Sequence, residues 1–231
     1  MSTTAIGTRY VYDFDDEAPG GRAQLGGKGI GLAEMTHMGL PVPGGFTVTT
    51  DACRAHMAAG AFPDGLDAQL EAAVHRLELK SGKRFGSPER PLLVSVRSGA
   101  AISMPGMMDS ILDLGLSDAA AEGLALTTGN PHFAYDSYRR LIQMYGHVVE
   151  GIDGGLFEEA LAALKRERGV TEDTEVDADD LRGLVAAFKR IYAETLGRPF
   201  PEDARVQLRA AVDAVFRSWQ NPRAKVYRQL N

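Results

Sequence analysis

Apolar positions in the first half of the chain change period repeatedly, whereas those after Gly115 keep one helical period almost to the end. The run TRYVYDF from Thr8 to Phe14 alternates aromatic and polar residues and predicts an early strand. From Ile30, the residues Leu32, Ala33, Met35 and Met38 predict a short helix, ended by Gly39 and Pro41. GGFTVTT, Gly44 to Thr50, reads as a strand, after which Asp51 or a neighbouring threonine caps a helix to about Ala59. Leu66, Leu70, Val74 and Leu77 mark an amphipathic helix. Leu92 to Val96 is short and β-branched enough for a buried strand. Arg97, a cluster of small residues and Pro105-Gly106 follow, before apolar character resumes at Ile111, so Leu92 to Leu116 reads strand, loop, strand.

Beyond that stretch the spacing predicts helices. Ala134, Tyr138, Leu141, Tyr145 and Val148 share one face of a helix from Pro131 to Glu150, with Pro131 in its first turn. Leu156 to Lys165 is a shorter helix, and the acidic stretch Gly169 to Asp177 reads as a mobile linker. Leu181, Leu184, Val185, Phe188 and Ile191 line a helix that stops at Gly197 and Pro199; Leu208, Val212, Val215 and Trp219 line the last one. The expected class is therefore α+β, with an α/β subdomain over 1–116 and a helical subdomain over 117–231. There is no internal repeat.

Composition narrows the function classes. The 231 residues are 44% hydrophobic and 24% charged, as in soluble globular proteins, which argues against disorder or a membrane role. No apolar run reaches membrane-span length, and MSTTAIGTRY lacks the design of a signal peptide, so the expected location is cytoplasmic. Cys53 stands alone, which excludes an intrachain disulfide and a cysteine-rich zinc site, and it reads as an inert small hydrophobe. A net charge of −6 gives no broad attraction for nucleic acid. An anionic ligand must then be held by local cations, which points to a small phosphate compound.

Two local cations stand out. Lys28 lies among Gly20, Gly21, Gly26, Gly27 and Gly29, where bare backbone amides approach oxygens and a lysine adds a point charge. The alternative is a solvated turn lysine. A P-loop is rejected because Arg22 and Gly29 occupy positions that need glycine and Ser or Thr. The dinucleotide fingerprint read from Gly29 fails at Glu34. Arg97 ends a strand before a glycine-rich loop, where its fork suits phosphate or carboxylate, or else a structural carboxylate. The five histidines show no metal-ligand spacing and read as surface or boundary residues, and Asp109 and Asp113 make only a weak magnesium pair. Met104, Met107 and Met108 pack on an adenine or fill the core, the latter slightly favoured. Ser110 has no nucleophile elbow around it.

LGGKGIGLAEMTHMGLPVPGGFTVTT, LLVSVRSGAAISMPGMMDSILDLGL, NPHFAYDSYRRLIQMYG and VFRSWQNPRAKVYRQLN closely resemble the N-terminal nucleotide-binding domain of the pyruvate, phosphate dikinase family, across essentially the whole chain. The resemblance implies the N-terminal part of an ATP-grasp-like domain. Family members use ATP and inorganic phosphate to phosphorylate a histidine on a swivelling domain, which carries the phosphoryl group to pyruvate on a C-terminal barrel and yields phosphoenolpyruvate. Lys28 and Arg97 match the family lysine and arginine on the ATP phosphates, and Gly106 to Met108, with Met107, match its phosphate loop. Arg140, in DSYRR, matches an arginine near the inorganic phosphate.

The implied cofactors are ATP and Mg2+, the metal's ligands lying outside these residues. The implied partners are the phosphohistidine domain and the pyruvate-binding barrel of the full-length enzyme, and a homodimer through that enzyme is compatible with the resemblance. The expected status is a fragment inactive alone. The competing expectation is a non-catalytic binding or regulatory module docking on a partner that carries the rest of the nucleotide site.

Overall fold

A computed structural model describes residues 7–99, 110–222 and 224–226. They are mostly helical with small sheets. They fall into two compact units: the described parts of 1–82, 97–109 and 215–231, and those of 83–96 and 110–214. The 1–116 and 117–231 division follows sequence character, whereas contacts gather these interleaved stretches.

In the first unit, β1 (Val11–Asp13) pairs antiparallel with β2 (Phe46–Val48), Val11 opposite Val48 and Asp13 opposite Phe46. Backbone bonds run on past the three paired residues, Thr49 N–H donating to the Tyr10 carbonyl at 2.8 Å and Phe14 N–H to the Gly45 carbonyl at 3.2 Å, while a side chain satisfies other groups of the run. Gln69 Oε1 accepts from the amides of Tyr10 and Val11 at 2.7 and 3.1 Å, and its Nε2 donates to the Thr8 carbonyl at 2.9 Å. Helix α1 (Gly21–His37) starts well before Ile30 but is broken at Gly26, whose φ of 72° and ψ of 174° are not helical. α2 (Thr50–Ala59) is capped by Thr49, whose hydroxyl accepts from the Ala52 amide at 3.3 Å. α3 (Leu66–Ser81) buries the spaced residues Leu66, Leu70, Val74 and Leu77. One histidine departs from the expected surface or boundary position: His56 is buried, with rings of Phe62 and Phe216 at 5.7 and 5.2 Å. Burial also pushes the Cys53 thiol up to about 11, in keeping with an inert residue.

In the second unit, β3 (Arg84–Phe85) pairs in parallel with β4 (Pro91–Leu92), and β5 (Val94–Arg97), whose last residue already counts with the first unit, pairs with β6 (Ser110–Leu114). The expected buried strand from Leu92 to Val96 is corrected here, because the run breaks at Leu93. Leu92 is buried in β4, but Val94 and Val96 are half-buried and Ser95 is exposed. The pattern is that of a strand short of cover on its faces, unlike a strand inside a sheet covered on both sides.

The helices follow the expected periodicity. They are α4 (Asp118–Thr128), α5 (Pro131–Met144), α6 (Gly154–Arg168), α7 (Ala178–Leu196) and α8 (Ala204–Ser218), the last reaching into the residues of the first unit. Asn130 Oδ1 caps α5 by accepting from the Phe133 amide at 3.0 Å, with Pro131 in the first turn. The expected helix to Glu150 ends instead in a π-helical turn over Tyr145–Val149. Tyr138, Tyr145 and Tyr192 are buried and all meet the ring of Phe200 edge-on. The stretch expected to be a mobile linker is a built 3-10 turn (Asp173–Glu175). The Glu175 carboxylate accepts from the amides of Thr171 and Glu172, and Asp173 pairs with Arg139 and Lys165. Among the described residues no helix is long and apolar enough to cross a membrane.

Candidate functional site

The break at Gly26 decides what Lys28 can do. A φ of 72° is a backbone that glycine adopts freely, and it splits α1 so that Gly27, Lys28 and Gly29 open its longer part. The first amides of a helix lack intrahelical acceptors and carry the positive end of its dipole, so this short stretch offers donors to an anion. Gly29 is required for packing as well, since a Cβ there would lie 2.8 Å from Thr47 Cγ2. The Thr50 hydroxyl donates to the Ala23 carbonyl at 2.7 Å, tying the segment before the break to α2.

Gly99 belongs to the same unit and sits against this helix start. A Cβ built on it would lie 3.7 Å from Lys28 Cβ and 3.8 Å from the Gly29 amide nitrogen. The structure thus brings together Lys28 and the first glycine after Arg97, two segments far apart in sequence. Lys28 and Arg97 are both exposed, and among the described residues neither has an ion-pair partner. Several other cations of this unit are used internally, Arg9 with Asp16, Arg76 with Asp13 and Lys80 with Asp15, whereas Arg22 in the first turn of α1 is exposed like Lys28. Gly106, Met107 and Met108, with Met104 and Asp109, lie outside the described residues.

Two clefts of the first unit are lined by neither of these cations. One, about 620 Å³, is lined by the paired residues Arg9, Asp13, Asp15, Asp16, Arg76 and Lys80. The other, about 430 Å³, is lined by Leu25, Ile30, Ala33, Glu34 and His37 among others. Charge compensation in the first leaves no excess positive field for phosphate, so the uncompensated pair Lys28 and Arg97 is the better anion candidate.

Arg140 lies in the second unit, on α5. Its terminal nitrogen stands 3.8 Å from Asp136 Oδ2, and the side chain is 54% exposed. The neighbouring Arg139, which sequence reasoning passed over, is buried: its Nε donates to Asp136 Oδ1 at 2.9 Å and its terminal nitrogen to Asp173 Oδ2 at 2.7 Å. The signal for the local pair was present in DSYRR, where Asp136 precedes the arginines by three and four residues on one helix face. Asp113 was weighed only as a magnesium ligand. Burial raises its pKa, the charge of Arg140 lowers it and that of Asp136 raises it. Among the described residues no group of three His, Cys, Asp or Glu side chains could hold a metal ion, so no step is assigned here to Mg2+.

Comparison with known proteins supplies a family description. The profile described as "Pyruvate phosphate dikinase, AMP/ATP-binding domain" matches residues 22–67 and 59–231. The chain is 53% identical over 225 residues to a pyruvate, phosphate dikinase of Clostridium symbiosum, covering 96% of this chain and 26% of that protein. Against pyruvate, phosphate dikinase 2 of Zea mays it is 53% identical over 208 residues, covering 90% and 23%. Against the Giardia intestinalis pyruvate, phosphate dikinase it is 48% identical over 233 residues, covering 98% and 26%. The chain spans about a quarter of the length of these curated relatives.

Proposed function

Because the chain belongs to the pyruvate phosphate dikinase AMP/ATP-binding domain family, we propose that it supplies one part of an ATP site, with Lys28 and Arg97 on the nucleotide phosphates and Gly106 to Met108 as its phosphate loop. The architecture would be the N-terminal part of an ATP-grasp-like domain. The reaction served is phosphoryl transfer from ATP to a histidine on a separate domain and to inorganic phosphate, leading from pyruvate to phosphoenolpyruvate. Arg140 is assigned to the inorganic phosphate.

The observation that supports this reading is the approach of Gly99 to Lys28, beside an exposed Arg97, with neither cation paired among the described residues. Phosphoryl transfer is catalysed mainly by positioning and by neutralising charge as it spreads over the phosphoryl oxygens. Lys28 would act as a movable point charge and Arg97 as a two-pronged clamp holding the phosphate in one orientation. Mg2+ would enter with the nucleotide, held by its phosphates and by groups outside the described residues.

Calorimetric titration with Mg-ATP tests the reading on this chain, and ATP-dependent autophosphorylation tests it in the polypeptide that carries the chain. Arg97→Ala and Lys28→Ala should each weaken ATP binding about tenfold or more and leave the thermal midpoint unchanged, since neither side chain holds the fold together. Wild-type autophosphorylation in Arg97→Ala would refute the assignment.

A further inference from the structure

Gly26 turns α1 aside, with φ 72° and ψ 174°, and one short stretch touches both sides of that break. Before it, the Thr50 hydroxyl donates to the Ala23 carbonyl at 2.7 Å. After it, Gly29 lies so close to Thr47 that a Cβ would stand 2.8 Å from Thr47 Cγ2 and 3.0 Å from its Oγ1. Thr47 belongs to β2 and Thr50 opens α2, so the connection between these two elements brackets the break. The turn before the break is also held from a second direction. Gln24 Nε2 donates to the Tyr12 hydroxyl at 3.3 Å, and Gln24 Oε1 accepts from the Gly20 amide at 3.1 Å. All of these residues belong to the first unit.

The Ala23 carbonyl is the group that decides between a broken and a continuous helix. In an unbroken α-helix it would accept from the Gly27 amide, four residues on. At a ψ of 174° the peptide between Gly26 and Gly27 is rotated far from its helical orientation, which turns the Gly27 N–H off that line. A carbonyl that loses its amide needs another donor, and the Thr50 hydroxyl is one. Thr50 is not needed to cap its own helix. That task falls to Thr49, whose hydroxyl accepts from the Ala52 amide at 3.3 Å. Glycine adopts both backbone conformations readily, so a single side-chain hydrogen bond is enough to decide which one Gly26 takes.

We propose that Thr50 is a positioning residue for the nucleotide phosphates: by occupying the Ala23 carbonyl it keeps the break at Gly26 open and leaves the helix start at Gly27, Lys28 and Gly29 available to the anion. The proposal rests on the reading of Lys28 as a phosphate cation. Without the hydroxyl, the Ala23 carbonyl reclaims the Gly27 amide. The helix then closes over Gly26, and a donor that served the anion is used inside α1.

Three variants test this. Thr50→Val keeps the shape and removes the donor, Thr50→Ala removes it without a branched side chain in the first turn of α2, and Thr50→Ser keeps it. In the polypeptide that carries the chain, Thr50→Val and Thr50→Ala should each raise the KM for ATP in autophosphorylation about fivefold, with kcat within about twofold of wild type. Thr50→Ser should stay near wild type. In the chain itself, without nucleotide, amide exchange at Gly27 should slow about fivefold in Thr50→Val and Thr50→Ala as the Ala23 carbonyl takes that amide up. A merely structural tie predicts the opposite sign, faster exchange at Gly27, with a lower thermal midpoint and an unchanged KM; that result overturns the proposal. Thr50→Ser behaving like Thr50→Val overturns it too, because the hydroxyl would then not be the cause. Lys28→Ala tests the underlying reading separately. A wild-type KM in Lys28→Ala removes the phosphate reading and the proposal with it, whereas a raised KM there beside an unaltered Thr50→Val sinks the Thr50 role alone.

Discussion

Arg76 on α3 grips Asp13 on β1 with two donors, Nε to Oδ2 at 2.8 Å and the terminal nitrogen to Oδ1 at 2.9 Å. Burial of Asp13 acts to raise its pKa, but the hydrogen bonds and charge of Arg76, helped by Lys80, outweigh it and hold the carboxyl below its ordinary 3.8. A depressed folded-state pKa adds stability that is present above the unfolded value and lost as pH falls through the folded one. Arg76→Gln should therefore lower stability by about 1–2 kcal/mol at pH 7, and the deficit should shrink below about pH 4. Urea unfolding at the two pH values measures both; a deficit that persists undiminished in acid would show that Arg76 acts through packing rather than charge.

Gly123 and Gly183 are both helical glycines, and the structure predicts opposite signs for them. A Cβ at Gly123 would stand 1.6 Å from the Pro88 carbonyl oxygen, an immovable backbone atom, whereas nothing lies within 4 Å of one at Gly183. Gly123→Ala should cost about 3 kcal/mol by forcing α4 off the 83–96 segment. Gly183→Ala should add roughly 0.5–1 kcal/mol by removing backbone entropy from the middle of α7. Thermal midpoints of the two variants against wild type decide it, and a shift of the same sign in both would contradict the packing described.

The helices were legible because amphipathic spacing and capping residues are local signals: Leu66 to Leu77 and Leu181 to Ile191 could be placed from period alone. The strands were less so. TRYVYDF has the right alternation, but the amides of Tyr10 and Val11 go to Gln69, more than fifty residues on, and nothing local announces it. The Leu92 to Val96 run looked continuous, yet how far a strand is buried depends on what covers its faces, which is a tertiary fact. In the candidate site, Lys28 and Arg97 were marked by the glycines around them, while the meeting of Gly99 with Lys28 is a long-range contact. Arg139 was readable only in part, because Asp136 lies three residues before it but Asp173 comes from the turn after α6.

Gly29 links the stability of the first unit to the placing of Lys28. A Cβ at this position would lie 2.8 Å from Thr47 Cγ2, 3.0 Å from Thr47 Oγ1 and 3.2 Å from Leu25 Cβ, so Gly29→Ala pushes α1 away from β2. The expected cost is about 1–3 kcal/mol, together with weaker Mg-ATP binding because the adjoining Lys28 is displaced. Thr47→Ala removes both closest atoms. The double variant should recover at least about half of the loss in a mutant cycle, and purely additive effects would show that the clash with Thr47 is not the cause.

Asp173 clamps the turn between α6 and α7, since its carboxylate pairs with Lys165 and accepts from Arg139 at 2.7 Å. The Lys165 hydrogen bond, followed by the hydrogen bond and charge of Arg139, holds its pKa below 3.8 despite a contribution from burial in the other direction. The clamp is thus fully formed above the ordinary carboxylate range and is lost as pH falls through the lowered value. Asp173→Asn removes the charge at every pH and leaves the buried Arg139 with Asp136 alone. Amide exchange over residues 169–177 should then run about tenfold faster at pH 7, equivalent to about 1.4 kcal/mol of local stability. Wild type should approach that exchange behaviour, after correction for intrinsic rates, only once pH has fallen below the ordinary carboxylate range. Equal protection of the segment in the two proteins at pH 7 would mean that the Glu175 hydrogen bonds to the amides of Thr171 and Glu172 hold the turn without the clamp.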